Sequence, residues 1–267
     1  MLLAIDVGNT AIKLGVFDGP ELRASWRWAT DPSKLTDEYA VQLGWHLDHA
    51  ELSPEVISRA IFCSVVPQLT VTFRQLCQEY LGSEPLRVSA DLELGVRLRV
   101  DNPQEVGADR IANAAAAQGL YQLPAIIVDF GTATNFDVVS RDGDFLGGCF
   151  APGIESAVDG LLARAALLRR FDLVAPAKTI GTNTVMCLQA GTIFGYTALV
   201  EGLVRRIEDE LGERALVIGT GGLVETIASQ TKAIQVVDQN LTLQGLRLLS
   251  ELNPGVVGRA QASDARA

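Results

Sequence analysis

An α/β protein of two similar lobes is what the sequence predicts, on three observations. Strand patterns alternate with helix patterns along the chain. One strand–turn–strand unit occurs twice, at residues 2–29 and again at 125–150. The 267 residues suffice for two lobes of ordinary domain size.

The elements follow in order. Residues 2–6 and 11–17 carry strand patterns, Asp18-Gly19 signals a turn, and residues 21–29 alternate apolar with polar. A helix pattern covers 36–50, followed by strand 58–65, helix 67–81 opened by Pro67, and short strand 86–89. Residues 95–100 read as a strand, and Asn102-Pro103 as the opening of the next helix. The second start is strand 125–130, then strand 133–139, an Asp142-Gly143 turn and strand 144–150. Helices are expected at 153–168, 183–211 and 242–252, with strands at 215–220 and 233–237. This gives an N-terminal lobe over 1–118, a C-terminal lobe over 119–252, and a tail over 253–267 without regular structure. Along the longest helix Ile193, Thr197, Val200, Val204, Ile207 and Leu211 form a seam for another helix, in the same chain or in a second copy. Gly191 and Gly195 would admit a close backbone.

Composition narrows the function classes. The chain is 48% hydrophobic and 20% charged, as soluble globular proteins are. Residues 1–8 reach Asp6 too soon for a signal peptide or membrane span, so a cytoplasmic protein is expected, with no membrane partner. A net charge of −10 disfavours nucleic acid as a partner, though not a nucleotide held by local donors. Cys63, Cys77, Cys149 and Cys187 are scattered, which argues for ordinary buried thiols rather than a zinc site or disulfides. His46 and His49 lie three apart on one helix and read as a solvated face.

The chemistry lies in the duplicated turns. Asp6-Val7-Gly8-Asn9-Thr10 is matched by Asp129-Phe130-Gly131-Thr132-Ala133, each after an apolar strand. A glycine there lets backbone N–H groups approach a phosphate oxygen. Asn9, Thr10, Thr132 and Thr134 add donors, and each aspartate is placed to hold a cation directly or through water. Lys13 supplies a mobile positive charge for the β- or γ-phosphate. One such turn is weak evidence; two in one context suit a nucleotide polyphosphate gripped between two lobes. The segment Gly219-Thr220-Gly221-Gly222 joins a strand to a helix without being a P-loop or a dinucleotide fingerprint. It offers a surface on which an adenosine would rest.

With these residues the chain resembles the type III pantothenate kinases over residues 1–252. The resemblance rests on DVGNTAIKLGVF (6–17), DNPQEVGADRIANA (101–114), DFGTATNFDVV (129–139), GGCFAPGI (147–154), NTVMCLQAG (183–191), GTGGL (219–223) and LTLQGLRLL (241–249). It implies two ribonuclease-H-like, actin-like lobes and phosphorylation of pantothenate by ATP with magnesium, the first step towards coenzyme A. It also implies a monovalent cation, potassium or ammonium, and a homodimer. By the same resemblance Asp6, Val7, Gly8, Asn9, Thr10, Ala11, Ile12 and Lys13 bind ATP, with Thr132 a further contact. Asp129 is the cation ligand, and Val100, Gly107, Ala108, Asp109, Arg110 and Thr184 bind pantothenate, with Asp109 as proton acceptor. A carboxylate in hydrogen-bond reach of the attacking hydroxyl suits that role, and a helix start favours its ionised form. Many family members carry tyrosine at the position of Val100 and lysine at that of Thr182. Two alternatives stand beside this reading: a kinase for another hydroxyl substrate on the same fold, and a nucleotide-binding accessory protein without catalysis.

Overall fold

A computed structural model describes residues 1–255 and divides them into two compact units. The first holds residues 1–96, 101–119 and 241–255; the second holds 97–100 and 120–240.

The first unit opens with β1 (Leu2–Val7), β2 (Ala11–Asp18) and β3 (Glu21–Ala29), an antiparallel meander. The Asp18-Gly19 turn works because Gly19 takes a positive φ of 56°. Helix α1 (Thr36–His49), β4 (Arg59–Ser64), α2 (Pro67–Leu81) and β5 (Leu86–Arg87) follow, with β4 parallel to β1. The sheet order is β3-β2-β1-β4-β5. Its core includes Leu3, Ile5, Ile12, Leu14, Phe62, Tyr39 and Phe73, all fully buried.

The second unit repeats this order. It contains β6 (Arg97–Leu98), β7 (Ala125–Phe130), β8 (Ala133–Val139), β9 (Asp144–Pro152), α4 (Ile154–Leu162), α5 (Thr184–Leu211), β10 (Leu216–Gly221), α6 (Val224–Ala228) and β11 (Val236–Val237). Its sheet runs β11-β10-β7-β8-β9-β6. Without the added edge strand β6, this is the first sheet's topology once more: a three-stranded meander, then two strands stepping outward on the other side of the first. Two such sheets are the expected ribonuclease-H-like, actin-like arrangement.

The single cut expected at 118/119 is corrected at both ends. Helix α3 (Ala108–Leu120) runs one residue past the first unit, and α7 (Leu241–Leu252) returns to that unit. The reason is packing: Leu241, Leu243, Leu246 and Leu249 are buried, and α7 lies on β1, β2 and β4. It crosses α3 at Gly245, where a Cβ would overlap the Ala112 carbonyl oxygen. The expected tail is ordered at its start. Asn253 is buried and its side chain donates to Glu93 O and Leu249 O at 2.8 Å each. The rest of that expectation, from 256, lies outside the described residues.

Other differences are local. Helix α4 stops at Leu162 rather than 168, because Leu167 beyond it is 94% exposed and finds no core to pack on. Strand β6 is two residues rather than six, since Gly95 turns the chain at φ 71°. Asn102-Pro103 opens a separate 3-10 turn ending at Glu105, and α3 begins afresh at Ala108. The seam on α5 is intramolecular: Ile193, Thr197, Val200 and Val204 are buried, and Ile193, Val200 and Val204 belong to the second core. By length and composition α5 is long and apolar enough to cross a membrane, with 28% of that window buried inside the protein. Gly191 and Gly195 meet nothing within 4 Å, so neither serves a close approach among the described residues. Cys63 and Cys77 are buried as expected, whereas Cys149 is half-buried and Cys187 exposed. His46 is not on a solvated face but packs its ring on Trp26 and Trp28; His49 is exposed and stacks on Trp45.

Candidate active site

In the first unit the site is built on the end of β1. Asp6 is half-buried there, opposite Lys13 on β2 and opposite Cys63 on β4. Directly opposed residues share a face of the sheet. Lys13, Asp6 and Cys63 therefore form one row across three strands. The thiol of Cys63 donates to Asp6 Oδ1 at 3.3 Å. The turn after β1 is tied down on both sides. Gly8 N–H donates to Ala11 O at 3.1 Å, Thr30 Oγ1 to Gly8 O at 2.6 Å, and Thr30 N–H to Thr10 O at 3.1 Å. A Cβ on Gly8 would stand 2.9 Å from the Ala11 carbonyl oxygen, so the turn takes glycine only at a cost in shape for anything larger. Asn9 and Thr10 are exposed at its tip, with Ala11 half-buried behind them. Val7 and Ile12 are fully buried in the core, which leaves only their backbone to offer a ligand.

Asp109 occupies the first turn of α3. Its Oδ1 accepts from Arg110 N–H at 2.9 Å, and a Cβ on Gly107 would come within 2.5 Å of that oxygen. Glycine at 107 is thus what lets the carboxylate fold back over the helix start. Ala108 and Arg110 flank it, both half-buried. Burial raises the Asp109 pKa above the ordinary aspartate value, against the backbone N–H bonds and the Arg110 charge that lower it. The expected dominance of the helix start is therefore reversed: desolvation outweighs it. Cys63 reports the same crowding. Its thiol is pushed well above its ordinary pKa by burial, then by Asp6, then by Asp109. Two carboxylates from distant parts of the chain thus meet electrostatically at one neutral, buried thiol.

In the second unit Asp129 ends β7 as Asp6 ends β1, and Gly131 N–H donates to Ala133 O at 2.9 Å across a turn of two residues instead of three. Thr132 is exposed at the tip. Gly221, with φ 95°, lies against this end of β7. A Cβ there would come within 2.7 Å of Asp129 Oδ1 and 2.6 Å of the Phe130 backbone. Gly221 so adjoins Asp129, and Gly222 N–H donates to Phe130 O at 3.0 Å. Thr184 is the exposed first residue of α5, capped by Asn183, whose Oδ1 accepts from Met186 N–H at 2.9 Å. Val100 belongs to the second unit and lies against β9, its Cγ1 3.5 Å from where a Gly147 Cβ would stand. Cys63 was not singled out from the sequence. Only the register of β1 against β4 brings it to Asp6, and no local motif encodes that.

The type III pantothenate kinase family model matches residues 2–206. A type III pantothenate kinase from Dehalococcoides mccartyi is 46% identical over 252 residues, 94% of this chain and 98% of that protein. The chain belongs to the type III pantothenate kinase family. A second member, from Roseiflexus castenholzii, is 49% identical over 253 residues, covering 95% of this chain and 99% of its own length. Among solved structures, a conserved Baf family protein from Campylobacter jejuni superposes with a TM-score of 0.61 at 17% identity, over 94% of this chain and 98% of that one. At that identity the likeness carries the fold alone. Among the described residues no group of three or more His, Cys, Asp or Glu is gathered to hold a metal ion. The half-buried carboxylate of Asp6 beside the phosphate turn fits magnesium arriving with a nucleotide, since magnesium leans on phosphates and water with one or two carboxylates.

Proposed function

We propose that the chain transfers the γ-phosphoryl group of ATP to the primary hydroxyl of pantothenate, giving phosphopantothenate and ADP, the first step towards coenzyme A. Membership of the family carries this, and the Cys63–Asp6 bond, with the charge of Asp109 felt at the same buried thiol, supports it. Asp109 accepts the proton of the hydroxyl as its oxygen bonds to the γ-phosphorus and the bond to the β–γ bridging oxygen breaks. Its raised pKa makes it a stronger acceptor than an exposed aspartate. The backbone of Asp6 to Lys13, the side chains of Asn9, Thr10 and Lys13, and Thr132 hold the nucleotide. Gly107, Ala108, Arg110, Val100 and Thr184 bind pantothenate. Magnesium, when bound with ATP, neutralises the β- and γ-phosphates.

Asp129 is the ligand we assign to potassium or ammonium. Its half-buried carboxylate near the end of β7, beside the second phosphate turn, supports this. The working form we assign is a homodimer in the cytoplasm, without nucleic-acid or membrane partners; the net charge of −10 supports the exclusion of nucleic acid. A coupled ADP-release assay with pantothenate and a panel of other hydroxyl compounds tests the reaction. ADP release specific to pantothenate is expected, stimulated by potassium or ammonium in the parent and less so in Asp129→Ala. No phosphopantothenate at saturating magnesium and potassium would sink the kinase reading; equal rates in sodium alone would sink only the cation assignment.

A further inference from the structure

The segment GGCFAPGI (147–154) recurs among the features of the family resemblance, yet the reaction above gives it no task. Its last glycine touches the second phosphate turn. Gly153 N–H donates to Thr132 O at 3.1 Å, and Ser156 Oγ, in the first turn of α4, donates to the same oxygen at 2.9 Å. A Cβ on Gly153 would overlap the Thr132 carbonyl oxygen and crowd that of Gly131, so only glycine permits this approach. From the opposite side Tyr196 on α5 points its hydroxyl at Pro152 O, 3.0 Å away, and Gly153 O, 3.3 Å away. The Tyr196 ring is half-buried, and burial raises the pKa of its hydroxyl, which keeps it a donor.

These contacts form a chain from α5 through the Gly153 segment to Thr132. A peptide unit is planar and trans, so fixing the Thr132 carbonyl towards α4 aims the following N–H, that of Ala133, the other way. We propose that Ser156 and Tyr196 are positioning residues for ATP: they hold the backbone of the Gly131-Thr132 turn in the shape that receives the phosphates, without touching the nucleotide. The inference rests on the reading of Thr132 as an ATP contact.

Steady-state constants for both substrates, with calorimetric affinity for ADP, should be measured in Ser156→Ala, Ser156→Thr, Tyr196→Phe and Thr132→Ala. Loss of one hydrogen bond should raise the ATP KM a few-fold to about tenfold in Ser156→Ala and Tyr196→Phe. ADP affinity should fall in step, the pantothenate KM should stay put, and Ser156→Thr should restore the parental value. An unchanged ATP KM in Ser156→Ala and Tyr196→Phe, with a raised one in Thr132→Ala, would overturn the positioning role alone. Equal rises in both substrate constants would also overturn it, by showing general loosening. An unmoved ATP constant in Thr132→Ala would overturn the assignment of this turn to ATP, and the inference with it.

Discussion

Asp109 meets two opposed demands at one residue. Burial raises its pKa, which improves it as a base and makes its charged form costly to the fold. Asp109→Asn removes both effects. Turnover should fall by about 10²–10⁴, the usual worth of a general base. In the parent the native state holds this proton more tightly than the unfolded chain, so rising pH through the native pKa lowers stability. The variant should therefore melt at a higher Tm than the parent at neutral pH, and the gap should close as pH falls through the native pKa towards the ordinary aspartate value. Thermal melts across that range, beside pH–rate profiles whose acid limb lies above that ordinary value, check both halves. A variant that loses activity and stability together would make Asp109 a structural residue. Val100 poses a smaller question. In the reading proposed above, valine at 100 offers pantothenate no hydrogen bond where a tyrosine hydroxyl would, a contact worth about 0.5–1.5 kcal/mol. Val100→Tyr should lower the pantothenate KM a few-fold to about tenfold at constant kcat, since such a contact serves ground and transition states alike. An unchanged KM would reduce Val100 to its packing against β9 beside Gly147.

Among the elements, the hairpins were the most legible and the helix partners the least. Asp18-Gly19 and Asp142-Gly143 announce their turns because only a residue free of a Cβ takes those φ values readily, and both glycines do take them. The Asp-x-Gly turns were legible for another reason, their repetition after two apolar strands; Gly8 and Gly131 take no positive φ, and at Gly8 it is the Ala11 carbonyl oxygen that leaves little space for a Cβ. What local pattern cannot carry is register and partnership. Asp6 meets Cys63 through parallel pairing across 57 residues, and nothing near either residue states the offset. Helix α7 meets α3 through Gly245 at Ala112, Leu248 at Gly119 and Thr242 Oγ1 donating to Asn113 Oδ1 at 2.8 Å, and no local pattern states that pairing. Residues 163–168 favour a helix by composition but have no buried face, so propensity alone does not extend α4. The α3–α7 crossing is testable. Gly245→Ala would press a Cβ into the Ala112 carbonyl, and overpacking of this kind costs about 1–3 kcal/mol. Because α3 carries Asp109, the same variant should also lose turnover. Urea unfolding midpoints and kcat measured on one preparation would test this; a variant as stable as the parent would mean that the two helices separate freely.

At the scale of the whole molecule, the distribution of apolar surface asks for an explanation that one chain does not supply. The second unit exposes Phe150 at 62%, Leu167 at 94% and Ile180 at 84%, with Leu161 and Val185 about half exposed. Scattered exposed apolar residues are ordinary, and the first unit has its own in Leu35, Val41 and Val71, but those of the second unit gather in one stretch of chain. Three of them, Leu161, Leu167 and Ile180, fall at the end of α4 or in the stretch after it, which finds no core of its own, and Val185 opens α5 beside Thr184. A second copy of the chain would bury this surface and would order the approach to a residue assigned to substrate. Light scattering coupled to size exclusion should then report about twice the 28.5 kDa of one chain. Replacing Ile180 or Leu167 by aspartate should shift the species towards the monomer, because burying an unpaired charge in such an interface is costly. Both variants should keep their far-ultraviolet spectra, since neither side chain belongs to a core. Their pantothenate KM should rise more than their ATP KM if the pairing shapes the substrate side. A parent that runs as a 28.5 kDa monomer at micromolar concentration would remove the homodimer from the reading and leave the phosphoryl transfer untouched.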